Sequence, residues 1–329
     1  MLHSLDINQY YFSKLTKEQK TIYKAIQAGL KSLSNIISLP MLPANEISMV
    51  FSAVLLDNPL FFYVSAFDYR SDLYKRKIAL KPKYKHEKDF IRQSTTSVYQ
   101  HLQVFNQVNN SSDYEKTLFI HDYCLRNFRY DYTFADQSFS ILGPILNKQA
   151  VCEGISHYVK LSLEYVGIRC LVVIGKGMSP AHSSIHSEAH AWNIVSIDGA
   201  NHHLDVTFNM TLKDRIYRYD YFNISDSDIL KDHAFSNDLP KCSTTGNDYY
   251  SRNSLLAYNS QELEKKIDNM LRSGNKQFQI KLINVKVKEE IVNRVSSIAL
   301  KKYSEIYRTN TSFNLSYNES QMIFEFSFI

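Results

Sequence analysis

Residues 150–177 read AVCEGISHYVKLSLEYVGIRCLVVIGKG. The pattern predicts a loop running into a helix that stops at Gly167, followed by a buried strand from Arg169. Cys152 falls at the start of that helix, facing the positive end of the helix dipole, which lowers a thiol pKa and enriches the thiolate. Gly154 in the first turn leaves room for another chain to approach. A lone cysteine in such a place is more often a small hydrophobe. Two stretches further along the chain change its weight. HAWNIVSI (190–197) and NHHLDVTF (201–208) read as two strands joined by a turn at Asp198-Gly199. A hairpin about that turn sets 190 roughly opposite 207, so His190 and Asp205, at an even offset, share a face. A cysteine at a helix start, a histidine on a strand and an aspartate on its neighbour form a nucleophile, a base and an orienter.

In order, AVCEG, GIRCLVVIGKG, HAWNIVSIDG and LDVTF resemble the transglutaminase-like superfamily of papain-type cysteine enzymes. The resemblance covers roughly residues 113–235, with NFRYDY (127–132) and YFNISD (221–226) inside it. DNPLFFYV (57–64) resembles the N-terminal region of bacterial members. The resemblance implies a papain-like α+β core in which Cys152 attacks, His190 takes and returns protons, and Asp205 fixes the imidazole tautomer. It implies acyl transfer on a peptide or protein substrate through a thioester. Water as acceptor makes a protease or deamidase, and an amine makes a transglutaminase. The tryptophan-containing segment beside the cysteine and the calcium-binding loops of animal transglutaminases are missing, which counts against cross-linking activity and calcium dependence. Since the triad supplies nucleophile, base and orienter and the ligand spacings are poor, no cofactor and no metal is expected. Gln149 stands near, but not at, the usual offset of the papain-type oxyanion glutamine, which leaves the Cys152 N–H as the safer donor. The alternative is a non-catalytic protein-binding or scaffolding module on the same fold.

Neighbouring residues carry lesser readings. Trp192 reads as core or site wall rather than a catalytic donor, and Asn193 as an orienter of the His190 strand or an ordinary residue. Glu153 reads as a first-turn charge in preference to a substrate contact, and Tyr130 and Tyr132, in so Tyr-rich a chain, as weak candidates for cleft lining. His182, His186 and His190 recur every four residues, but Pro180 and the serines around them read as a loop, and His-Ser-Glu-Ala-His is not His-Glu-x-x-His. Cys124, Cys170 and Cys242 read as structural. With no Cys-x-x-Cys pair, neither a disulfide framework nor a Cys-rich zinc site is expected.

The chain has 329 residues, enough for about two domains, and is 44% hydrophobic and 22% charged. That excludes collagen-like and wholly disordered chains. No apolar run reaches about 18 residues, so no membrane span is expected, and a net charge of +5 is too mild to argue for nucleic acid. The N-terminus lacks the pattern of a signal peptide, so the chain as given reads as cytoplasmic. The expected organisation is three-part. Residues 1–111 form a mainly helical region (helices over 14–38, 44–56 and 86–109) with a hairpin of LFFYVSAFDY and LYKRKIALKPKY. Residues 112–246 form the catalytic core, opening on a Ser112–Glu115 capping box. Residues 247–329 form a small α+β domain: helix 260–272, strand 276–285, helix 286–303 and a hairpin about Asn318-Glu319. The lysines of the first hairpin read as a solvated strand face.

Overall fold

The computed structural model describes residues 8–178, 188–212, 216–236, 238–284 and 289–329. The fold is α+β, and the chain divides into two compact units, residues 1–174 with 190–199 and residues 175–189 with 200–329.

In the first unit, α1 (Tyr10–Lys14) precedes α2 (Lys17–Lys31), which starts on a Thr16–Gln19 capping box and buries Ile22, Tyr23, Ile26 and Leu30. The helix stops at Lys31 rather than running to 38. Leu33 turns the chain with a φ of 53°, and β1 (Ile37–Pro40) then alternates buried and exposed residues. Ile37, whose spacing fits the helix, is therefore a strand residue; the period of two wins where Ser32 and Ser34 interrupt the period of four. After α3 (Ala44–Asp57) come β2 (Val64–Asp72) and β3 (Lys77–Tyr84), the expected hairpin, extended by β1 into a sheet of order β1-β3-β2. Ile78, Leu80 and Pro82 are buried while Lys77, Lys81 and Lys83 face outward, as the alternation requires.

Next are α4 (Lys88–Leu102), followed by a 3-10 turn over Gln103–Val108, and α5 (Asp113–Asn127). The Ser112–Glu115 capping box heads α5, with Ser112 N–H donating to Glu115 Oε2 at 2.9 Å. Two short parallel strands, β4 (Arg129–Tyr130) and β5 (Gln149–Ala150), lead to α6 (Cys152–Tyr165). From Gly154 to Glu164 every residue of α6 is buried, including Lys160, whose ammonium donates to the carbonyls of Cys170 (2.8 Å) and Asn8 (3.0 Å) and to Glu164. β6 (Cys170–Gly177) begins in this unit, and β7 (Glu188–Ile197) returns to it. Asp198 and Gly199 both take left-handed φ values, 51° and 81°, the conformation of the type I′ turn that Asp-Gly favours.

In the second unit, β8 (Ala200–Leu204) pairs antiparallel with β9 (Phe222–Ile224), and α7 (Val206–Leu212) lies between them in sequence. Sequence reasoning extended the strand to Phe208. Instead Asp205 caps a helix: its Oδ1 accepts Phe208 N–H at 3.0 Å and its carbonyl accepts Asn209 N–H at 3.3 Å. Thr207, set opposite His190 by the hairpin register, thus lies in a helix. Burial of Val206, Thr207 and Phe208 overrides their weak helix propensity. Then come α8 (Asp226–Ile229) and β10 (His233–Ala234), which pairs with the end of β6.

The remainder is α9 (Tyr249–Arg252), β11 (Leu256–Ala257), α10 (Ser260–Arg272), β12 (Gln277–Leu282), α11 (Glu289–Tyr307), β13 (Phe313–Asn318) and β14 (Ile323–Phe328). Its sheet has the order β11-β12-β14-β13. Leu263, Ile267 and Leu271 of α10 and Val295, Ala299 and Tyr303 of α11 form one core with Phe278, Phe324, Phe326 and Phe328. β14 is buried along its whole length. Glu325 of that strand meets Arg218, which also grips Asp220 through Nε (2.9 Å) and Nη2 (2.7 Å). No helix among the described residues is long and apolar enough to cross a membrane.

Candidate active site

The path to Cys152 is built from the loop before it. β4 and β5 pair Arg129 with Gln149 and Tyr130 with Ala150. Asp131 N–H then reaches Ala150 O at 3.1 Å, and Val151 N–H reaches Ser138 O at 3.1 Å. The Asp131 carboxylate, buried, accepts from the Ser138 hydroxyl, from Thr133 Oγ1 (2.6 Å) and N–H (2.8 Å), and from Ala135 N–H (3.1 Å). Those donors hold its pKa well below the usual carboxylate range, Ser138 most strongly. The loop so fixed lies across the first turn of α6. A Cβ on Gly154 would sit 2.2 Å from Ser138 O, so the close approach read from the sequence is real and excludes any side chain there.

Cys152 is the first residue of α6 and half-buried. The first N–H in the helical ladder is that of Ile155, bonded to Val151 O at 3.0 Å. The N–H groups of Cys152, Glu153 and Gly154 therefore precede the ladder, the arrangement that receives negative charge at a helix start. Ser156 Oγ donates to Cys152 O at 2.7 Å. Cys124, Cys170 and Cys242 are buried, and burial pushes each thiol pKa up. One helical step round from Cys152 lies a cavity of about 230 Å³ lined in part by Glu153, His157, Lys85, Phe61, Phe62 and Phe139. Burial raises the Glu153 carboxyl and, with Lys160, lowers His157 to about 4.

His190 lies on β7 in the same unit as Cys152. It is buried, with its ring stacked on that of Trp192 at 5.8 Å and 19°. Trp192 is fully buried and walls the imidazole. Asn193 Nδ2 donates to Ser156 O of α6 (3.0 Å) and to Leu171 O of β6 (3.3 Å). One side chain thus ties the His190 strand to the Cys152 helix and to β6. Gln149 sits exposed on β5. Tyr130 and Tyr132 pair edge to face at 5.0 Å. His182 and His186 lie outside the described residues.

Asp205 belongs to the second unit and is fully buried. Besides capping α7 through Oδ1, it meets His233 Nε2 with Oδ2 at 3.0 Å. His233 Nδ1 meets Asp232 Oδ1 at 2.7 Å. Burial alone would lower the His233 pKa, but the two carboxylates outweigh it and raise it. Sequence reasoning missed His233, because Asp232-His233 stands 28 residues from Asp205 with no periodic signal. In the same unit His203 Nε2 meets Asp226 Oδ1 at 2.9 Å, Asp226 Oδ2 accepts Cys242 N–H at 3.0 Å, and ligand atoms of the three residues lie within 4.8 Å of one another. A metal there would have to displace the proton of a thiol that burial makes harder to ionise.

Among known families, the model of the transglutaminase-like superfamily matches residues 103–205. The curated proteins return no match. Of the solved structures, a TGase aligns at 15% identity over 59% of this chain and 57% of its own, with a TM-score of 0.30. A protein from Cytophaga hutchinsonii described as a "putative cysteine protease" aligns at 12% identity over 44% of this chain and 62% of its own, with a TM-score of 0.29. The chain thus spans less than two thirds of either. The family match ends on Asp205 and takes in the Cys152 helix, Trp192 and the His190 strand. Residues 103–205 are thus similar to the core of the transglutaminase-like superfamily.

Proposed function

We propose that the protein is a cysteine-nucleophile acyltransferase or hydrolase of peptide or amide bonds, with Cys152, His190 and Asp205 as nucleophile, base and orienter. The observation that carries this reading is the setting of Cys152. It is half-buried at the head of a buried helix, beside N–H groups outside the helical ladder, while the three other cysteines are buried. In the reaction His190 takes the thiol proton as Sγ bonds to the substrate carbonyl carbon. The oxygen of the tetrahedral intermediate gathers charge against the Cys152 N–H. His190 then gives the proton to the leaving nitrogen as the C–N bond breaks, leaving a thioester. Water or a second amine attacks the thioester, giving its proton through His190 back to Sγ as the C–S bond breaks. Asp205 holds the imidazole in the tautomer that can do both. These steps call on no metal.

The helix and the base account for acylation and leave the acceptor open, and we expect hydrolysis at least as often as amine transfer. The test is mass spectrometry of the chain and of products after incubation with glutamine-containing peptides and an excess primary amine. An acyl adduct on Cys152 and free acid or cleaved peptide support the hydrolytic reading. Predominant amine conjugate assigns a transglutaminase, and an unreactive Cys152 with no turnover returns the chain to the scaffold alternative.

A further inference from the structure

We propose that His233 is a positioning residue for this reaction, a buried imidazolium set between Asp205 and Asp232 that holds the Asp205 carboxylate in place and moderates its charge. The inference rests on the reading of Asp205 as the orienter of His190. It starts from burial: Asp205 is 0% exposed, and Asp232 and His233 are 4% exposed each. Carboxylates so placed must be paired and hydrogen-bonded to persist as anions. Each oxygen of both has a donor. Asp205 Oδ1 takes Phe208 N–H and Oδ2 faces His233 Nε2, while Asp232 Oδ1 faces His233 Nδ1 and Oδ2 takes the Tyr221 hydroxyl at 2.6 Å. A neutral imidazole has one N–H and one lone pair, so one of its nitrogens would turn a lone pair on a carboxylate oxygen. With both nitrogens at hydrogen-bond distance from carboxylates, the ring carries both protons.

The clamp is braced from behind. Asn318 Nδ2 donates to Tyr221 Oη at 3.1 Å, and Gln321 Nε2 reaches Asp232 Oδ2 at 3.4 Å and Asp228 O at 3.0 Å. The β13–β14 turn thereby holds Asp232, Asp232 holds His233, and His233 holds Asp205, which places residues 318–321 in the positioning of the orienter. Among the groups of its own unit, those titratable and facing the ring include Asp205 and Asp232, with Tyr221 at 5.6 Å between ring centroids and His203 within range of its charge; the Phe208 ring covers it at 4.6 Å. A cation beside Asp205 weakens the negative field that the orienter presents. Its removal raises the pKa of any imidazolium Asp205 supports.

Two measurements on the full chain test this. Nitrogen-15 NMR of the unaltered protein at pH 7 should show His233 with both ring nitrogens protonated; a neutral ring overturns the proposal whether or not any variant folds. The second is the pH dependence of Cys152 alkylation by iodoacetamide, with the His190 inflection identified through His190→Ala. In folded His233→Gln that inflection should move up by about 0.5–1 in pH, and Asp205→Asn should remove the contribution of the orienter. An unchanged profile in folded His233→Gln, beside an altered one in Asp205→Asn, sinks the role of His233 alone. No effect of Asp205→Asn sinks the orienter reading, and this inference with it.

Discussion

Asp131 and Asp205 are both buried aspartates that stand at the approach to a helix, and their carboxylates are satisfied in opposite ways. Asp131 draws on hydroxyls and backbone N–H groups of the next seven residues, none of which titrates near neutrality. Among the partners of Asp205 are a helix N–H and a histidine 28 residues away. The first arrangement fixes a loop whatever the pH. The second fixes a carboxylate through a partner whose charge can change, which suits a residue whose field matters as well as its position.

The comparison breaks most visibly at the second site. Asp205→Asn is expected to lower turnover, or Cys152 alkylation at neutral pH, by about 10²–10⁴-fold and to lower thermal stability proportionately less. Asp131→Asn should do the reverse, lowering Tm while leaving the pH profile of alkylation in place. Equal losses of both kinds at Asp205 would make it a structural carboxylate like Asp131.

Gly154 sharpens the contrast from the loop side. Gly154→Ala drives a methyl group into Ser138 O and should destabilise by about 1–3 kcal/mol in chemical denaturation, with slower Cys152 alkylation. A neutral outcome would show that the loop yields where four hydrogen bonds to Asp131 say it does not.

Next in size is the pH dependence of Tm. His157 is lowered from 6.5 to about 4 by burial and Lys160, so it is neutral when folded and the unfolded chain takes up its proton first. Its contribution is complete above pH 6.5 and is lost as pH falls toward 4, at most about 3 kcal/mol. His233 is raised, so its contribution is complete below 6.5 and is lost as pH rises through its folded value. His157→Gln should flatten the acid side of a Tm–pH curve, and His233→Gln the alkaline side. The smallest expected effect is at Gln149. It is exposed on β5, and on the proposed mechanism, in which the Cys152 N–H is the oxyanion donor, Gln149→Ala should change turnover less than about 2-fold.

Much of this was legible in the sequence where a local signal and a buried face agree. The α5 capping box, the start of α6 at Cys152, the Asp198-Gly199 turn, the β2–β3 hairpin and helix 260–272 all follow from spacing and cap chemistry. Two boundaries went astray for opposite reasons. Ile37 fits a helical period but pairs with Leu80, and Val206–Phe208 look like a strand but continue from an aspartate that caps. The need for glycine at 154 was readable, but its cause, the Ser138 carbonyl, was not. His233 and the bracing by Asn318 and Gln321 were invisible, since contacts made 28 to 97 residues apart leave no period to find.

That range of separations bears on how the protein assembles as it leaves the ribosome. The Asp131 bonds span two to seven residues, so the loop that cradles Cys152 closes a short stretch of chain at little entropic cost. Gripping Asp205 requires residue 233, and bracing Asp232 requires Gln321, 89 residues further along. During synthesis the thiol's cradle is complete well before the last brace behind the acid has been made. On the proposed chemistry, a ribosome-bound chain therefore carries its nucleophile in place while the bracing of the group that would orient its base is still unfinished.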